Sequence, residues 1–185
     1  TISKNIEILK KLIIQSEKLN ISMIEIPLVD SSSLKTNNDK IEFKTNIEKI
    51  IPLLDETNIT LVLETDLPPL HFRDLLLEFN HPKILANYDS GNSTSLGYNS
   101  KKELTILEKW IKNVHVKDRK IKGGTVPLGT GDTNFELFFV SLEKINYLGD
   151  LIIQGSRDLE INYSSEQTCF TYQKFVKGYV NKYYK

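Results

Sequence analysis

Cysteine is almost absent. Cys169 is the one example in 185 residues, so no internal disulfide can form and the chain suits a reducing compartment. Net charge is absent too: 24 lysines and arginines face 24 aspartates and glutamates, and no overall field draws the chain onto nucleic acid or anionic lipid. No uninterrupted apolar run approaches the roughly 18–20 residues of a membrane span. Three histidines are few for a histidine-rich multi-metal cluster. No G-x-G-x-x-G follows the first strand-like run, which removes the dinucleotide fingerprint. A secretory signal is missing as well, because Lys10 and Lys11 interrupt the apolar part of the N-terminus. The expected location is the cytoplasm. The chain also starts without Met, inside a helix pattern, and is expected to be a piece of a longer polypeptide.

What is present is ordinary in bulk, with 39% hydrophobic and 26% charged residues, as in soluble globular proteins. Residues 1–185 are expected to form a single domain. Ile6, Leu9, Ile13 and Ile14 recur at helical spacing, so Ser3–Leu19 reads as an amphipathic helix. Ile21–Val29 is an apolar run of strand length. A helix is expected over Ile41–Glu56 with a bend at Pro52, then a strand over Ile59–Leu63. A short helix follows over Leu70–Phe79, and a third strand over Ile84–Tyr88. Lys101–Lys112 reads as a helix and Val114–Val116 as the fourth strand. Asn134–Ile145 is the next helix, Leu151–Ile153 the fifth strand, and Ser164–Tyr184 a closing helix capped by Ser164 or Ser165. Apolar strands alternating with helices imply a helix-covered parallel sheet, either doubly wound or of the (β/α)8 barrel kind.

The polar residues that end the strands carry the functional signal. Asp30, Glu64, Asp89, His115 and Gln154 each terminate a strand, and the C-terminal strand edge is where parallel α/β proteins bind ligands. Each has a bland alternative. Glu64 and Asp89 can cap helices, and a lone histidine in Val114-His115-Val116 is more often a hydrogen-bonded core residue than a ligand. His71 and His81, near prolines, read as surface residues. Together the strand ends offer an oxygen- and nitrogen-rich set for one divalent cation such as Mn²⁺, Mg²⁺, Co²⁺ or Zn²⁺. Behind His115 comes a cationic, glycine-flexible loop, Lys117 to Gly131.

These residues resemble the xylose-isomerase-like TIM-barrel superfamily of sugar-phosphate isomerases and epimerases, which also contains endonuclease IV. The resemblance rests on Glu25–Ser32, Leu63-Glu64, Asp89-Ser90-Gly91-Asn92, Val114–Arg119 and Leu128–Asp132 followed by Phe135. It implies a metal held by Glu64, Asp89, His115 and, in the fourth position, Gln154, where the family has a glutamate. It also implies proton removal next to a carbonyl through an enediolate that the metal stabilises, with Glu64 as the base. Epimerases of this kind use two glutamates, one on each face of the carbon. With Gln154 neutral, only Glu64 remains, which favours a one-base isomerisation over inversion unless Asp30 or Asp66 supplies a second acid. The loop residues Lys117, Arg119 and Lys120, with Asn92 and Arg157, are the implied contacts to a sugar or its phosphate.

A (β/α)8 barrel takes about 250 residues. About five strand–helix units are expected here, with the family's first three strands absent. An incomplete barrel of this kind leaves sheet edges for a missing N-terminal segment or a second copy to cover. The partner expected is a small sugar or sugar phosphate, with neither nucleic acid nor membrane. A non-catalytic remnant that acts as a binding module, and an endonuclease IV-like phosphodiesterase, are the alternatives.

Overall fold

Helix α1 (Ile2–Lys18) turns one stripe inward: Ile13 is buried, Ile6 and Leu9 are half-buried, and Ile14 is exposed. The computed structural model describes residues 2–156 and 164–184, in two compact units, residues 1–86 and 87–185. In the first unit, α1 is followed by β1 (Met23–Leu28) and α2 (Asn37–Glu48). Helix α2 starts ahead of the expected Ile41 because Thr36 and Asp39 form a capping box. Thr36 Oγ1 accepts from the Asp39 N–H at 3.1 Å, and Asp39 Oδ2 accepts from the Thr36 N–H at 2.7 Å. The single bent helix expected over Ile41–Glu56 is instead two helices. A separate α3 (Ile51–Asp55) has Pro52 in its first turn, where proline's missing N–H leaves no hydrogen bond unmade.

Strand β2 (Thr60–Thr65) lies parallel to β1, with Met23 opposite Thr60 and Leu28 opposite Thr65. Leu61, Val62 and Leu63 are 0% exposed, as a strand covered on both faces requires. Helix α4 (Pro69–Phe79) ends at Asn80, whose φ of 44° is left-handed, and the Asn80 N–H bonds Leu76 O. Strand β3 (Ile84–Asp89) then pairs with β2, Leu61–Leu63 against Ile84–Ala86.

The second unit takes β3 onward. A short α5 (Ser90–Ser95), unmarked by periodicity, follows directly and is capped by Asp89. Helix α6 (Ser100–Leu107), a 3-10 turn at Glu108–Trp110 and β4 (Ile111–Val116) come next. The expected helix to Lys112 is thus too long. Ile111 falls four residues after Leu107, so helical spacing places it inward, yet it packs on the core from the strand. A two-stranded ribbon, β5 (Asp118–Arg119) and β6 (Thr125–Val126), precedes α7 (Phe135–Lys144) and β7 (Leu151–Ile153). Strand β7 is parallel to β4, Val114–Val116 against Leu151–Ile153. Helix α8 (Ser165–Tyr183) is capped by Ser164 in a capping box with Gln167.

Among the described residues the main sheet is parallel with five strands in the order β1-β2-β3-β4-β7. A (β/α)8 barrel needs eight, so the barrel is not closed, as the sequence leads one to expect. No described helix is long and apolar enough to cross a membrane.

The second unit's core is aromatic. Phe138 and Phe139 are 0% exposed; Phe139 stacks on Tyr179 at 4.9 Å, and Phe135 meets Phe175 edge-on at 5.0 Å. Truncating Phe139 to Ala is expected to cost about 3–5 kcal/mol in urea unfolding. Phe170→Ala, at a residue 67% exposed, should cost under about 0.5 kcal/mol. Equal losses would show that the α7–α8 aromatic packing does not hold this unit.

Candidate active site

In the first unit, Glu64 lies one residue from the end of β2 and is 5% exposed. Strand register sets Pro27 opposite Glu64 and Glu25 opposite Val62. Side chains two residues apart share a sheet face, so Glu25 stands diagonally across from Glu64. One carboxylate oxygen from each lies within 4.8 Å of the other. Asp30 and Asp66, the carboxylates that sequence offers as a second acid, are placed otherwise. Asp30 is exposed at φ 55°, and Asp66 accepts a hydrogen bond from the Ser33 hydroxyl.

In the second unit, Asp89 splits its carboxylate. Oδ1 accepts from the Asn92 N–H at 2.7 Å and caps α5. Oδ2 is buried without a hydrogen bond, 3.8 Å from His115 Nδ1 and 3.5 Å from Lys117 Nζ. His115 is 5% exposed. Asn113 Nδ2 donates to Asn87 Oδ1 at 2.8 Å, and Asn87 Nδ2 faces His115 Nδ1 at 3.2 Å. An amide nitrogen only donates. With the amides set this way, the Nδ1 lone pair accepts the Asn87 N–H and the ring proton sits on Nε2. A buried carboxylate oxygen with no donor is costly. A carboxylate oxygen and an imidazole are donor types that a divalent cation takes. The residues fit a divalent cation.

The cationic loop is mostly bonded to itself. Arg119 Nε and Nη2 donate to Gly123 O at 3.0 and 2.8 Å, and Nη1 donates to Asn92 Oδ1 at 2.8 Å. Lys117 Nζ also reaches Asn92 Oδ1, at 3.4 Å. Lys120 turns to Asp132 at 3.4 Å. The loop's organiser is Asp118, 1% exposed, whose carboxylate accepts from the N–H groups of Gly129, Gly131 and Thr133 at 2.9, 2.8 and 3.1 Å. A Cβ on Gly131 would fall 2.0 Å from Asp118 Oδ1, so glycine is required there. The Lys117-Asp118 and Gly129-Thr130-Gly131 segments are thus one structure.

The second unit therefore brings Asp89, Asn92, His115, Lys117 and Arg119 together. Gln154 is exposed just past β7, its N–H bonded to Val116 O at 3.0 Å. Arg157 lies outside the described residues. His71 is exposed, as expected of a surface residue, while His81 is half-buried against Asp55 at 3.1 Å. Sequence reasoning missed Glu25, Asn87, Asn113 and Asp118. Glu25 had a signal, being the one charge in an apolar strand; the two asparagines carried none.

A buried acid stands apart from these groups. Glu103, 6% exposed, accepts from Tyr88 Oη at 3.1 Å and from the Ser93 hydroxyl. Burial pushes its carboxyl up to about 7, although the Ser93 and Tyr88 bonds pull the other way.

Parallel strands with buried acid and imidazole at their C-terminal ends mark an α/β protein of the TIM-barrel class. Residues 1–167 match the family model for the xylose isomerase-like TIM barrel, and the chain belongs to that family. Among curated proteins, SgbU of Haemophilus influenzae is 29% identical over 164 residues, 82% of this chain and 57% of that protein. L-ribulose-5-phosphate 3-epimerase UlaE of Escherichia coli O1:K1 is 27% identical over 161 residues, 82% of this chain and 56% of that protein. The chain spans a little over half the length of these relatives. Among solved structures, the IOLI protein with a bound zinc atom superposes with a TM-score of 0.83 at 15% identity, covering 97% of this chain and 70% of that one.

The raised Glu103 gives a pH signature. Its folded value lies above the unfolded value of 4.5, so between about pH 4.5 and 7 the folded chain keeps a proton that the unfolded chain has released. Stability is then expected to fall as pH rises through that window, by on the order of 3 kcal/mol, and to level off above it. Glu103→Gln should flatten the slope in urea unfolding across pH 4.5 to 8. A slope that survives the substitution would assign it elsewhere.

Proposed function

We propose that this chain carries the proton-transfer machinery of a metal-dependent isomerase or epimerase acting on a sugar or sugar phosphate. The observation that carries the reading is Asp89 Oδ2, a buried carboxylate oxygen with no hydrogen bond, 3.8 Å from the His115 ring. In this reading Asp89 and His115 hold one divalent ion, Mn²⁺, Mg²⁺, Co²⁺ or Zn²⁺, any of which a carboxylate and an imidazole suit, and Glu64 keeps the ligand and base roles that the family resemblance implies. Such an ion, when bound, polarises the substrate carbonyl and stabilises the negative charge that develops on its oxygen.

Glu64 takes the proton from the carbon next to that carbonyl, a role worth about 10²–10⁴-fold in rate. Its place in an apolar strand keeps bulk water from competing for the proton. Asn87 fixes the His115 ring, and Asn113 fixes Asn87. Lys117, Arg119 and Asn92 meet the hydroxyls or phosphate of the substrate, with Lys120 and Arg157 as further cations. Arg119 has five N–H donors, of which the Gly123 and Asn92 bonds spend three. The name of the UlaE relative supports inversion at a carbon beside a carbonyl over aldose–ketose isomerisation. Gln154 favours a second reading, a binding module without the chemistry, since an amide can ligate a cation but cannot act as a base.

Proton exchange with solvent separates the two. In D₂O, a panel of pentuloses, hexuloses and their phosphates is expected to include one that gains deuterium next to its carbonyl, as read by NMR. EDTA should abolish the exchange, added Mn²⁺ or Co²⁺ should restore it, and Glu64→Gln should slow it by at least about 100-fold. Exchange that persists in both EDTA and Glu64→Gln would rule out the mechanism. Metal uptake with no exchange for any sugar would favour the binding module.

A further inference from the structure

We infer that Asn87 and Asn113 are positioning residues that hold His115 with its ring proton on Nε2, so that two buried amides decide when the imidazole can take an ion. This inference deepens the reading of His115 as an ion ligand and rests on that reading for its consequence. The groups involved all lie in the second unit. Asn87, Asn113 and His115 are 2%, 3% and 5% exposed, so their polar atoms must find partners inside the protein. Asn113 Nδ2 lies 2.8 Å from Asn87 Oδ1, and Asn87 Nδ2 lies 3.2 Å from His115 Nδ1. From Asn113 onward each amide donates to the next group, and the chain ends on an Nδ1 that must accept.

Turning both amides over would reverse the chain, with Nδ1–H donating to Asn87 Oδ1 and Asn87 Nδ2 to Asn113 Oδ1. Asp89 Oδ2, 3.8 Å from Nδ1, favours a proton there. Lys117 Nζ, 3.5 Å from the same oxygen, offsets part of that pull. Asn113 weighs the other way. Its Oδ1 is buried with no hydrogen bond, and turning the amide would put an NH₂ group, with two hydrogens to satisfy, where one oxygen now goes without a partner. Orphaned buried N–H groups are rarer than under-satisfied carbonyls. Asn113 therefore keeps its present setting and, through Asn87, keeps the proton off Nδ1. With Nδ1 accepting from Asn87 and Nε2 carrying the proton, neither ring nitrogen offers an ion its lone pair until the Asn87 amide turns or withdraws.

Long-range ¹⁵N–¹H correlation spectra of the full chain, labelled at histidine and freed of metal by EDTA, read the tautomer directly at about pH 8, above the ordinary imidazole range. Three histidines give three ring patterns, and His115→Gln identifies its own by loss. The unaltered chain is expected to show Nε2–H at His115. Asn87→Leu and Asn113→Leu should each move the His115 ratio toward Nδ1–H by about fivefold, the weight of one hydrogen bond, as the pull of Asp89 takes over. Asn87→Asp, whose carboxylate only accepts, serves if a leucine variant does not fold. His81, whose Nδ1 accepts from the Lys83 N–H at 3.2 Å, should not move. Amides with a merely structural role would lower stability and leave the tautomer alone. Nδ1–H in the unaltered chain, or Nε2–H unchanged in the variants, would overturn the inference. Added ZnCl₂ tests the reading beneath it: variants that shift the tautomer, with no His115 signal of the unaltered chain moved by Zn²⁺, would uphold the inference and overturn the ion reading.

Discussion

Most of the candidate site depends on the divided carboxylate of Asp89. Its Oδ1 is tied to the Asn92 N–H and starts helix α5. That commitment fixes the rotation of the side chain and leaves Oδ2 turned toward His115 and Lys117. A carboxylate free to rotate could satisfy both oxygens with nearby donors. This one cannot, because giving up Oδ1 would uncap the helix, a loss of about 1 kcal/mol. The unsatisfied oxygen is therefore built into the local fold.

The surrounding residues carry the same constraint outward. Helix α5 brings Gly91 so close to Lys117 that a Cβ there would meet Lys117 Cγ at 2.7 Å. Ser90 Oγ bonds the Lys117 carbonyl at 2.8 Å and accepts the Lys117 N–H at 2.9 Å. Lys117 is thus held by its backbone on α5 and by its ammonium on Asp89. One residue on, Asp118 gathers the Gly129–Thr133 turn, and Arg119 ties the ribbon back to Asn92. The cations serve the loop's own architecture first, and their remaining donors are what the proposed substrate would meet.

Much of this was legible in the sequence, for reasons that can be named. Apolar runs of strand length alternating with helical stripes gave all five strands of the main sheet, and the polar residue ending each run marked Glu64, Asp89 and His115. What was lost was lost to ambiguity of period or to distance along the chain. Helix α5 has the composition of a loop, Ser-Gly-Asn-Ser-Thr-Ser, and exists because Asp89 caps it. Ile111 satisfies helix and strand alike. Asn87 and Asn113 are 26 residues apart, and only strand pairing makes them neighbours. Glu25 was visible as a lone charge, but its meaning depends on the register that sets it diagonal to Glu64, which no single strand reveals.

The central claim is that the buried oxygen of Asp89 and the imidazole of His115 hold a cation. Crystals grown with MnCl₂ and measured at a wavelength where manganese scatters anomalously test it most directly. The account predicts one strong anomalous peak bonded to Asp89 Oδ2 and to a ring nitrogen of His115. A map with no peak there, with Lys117 Nζ hydrogen-bonded to Asp89 Oδ2 in its place, would contradict it.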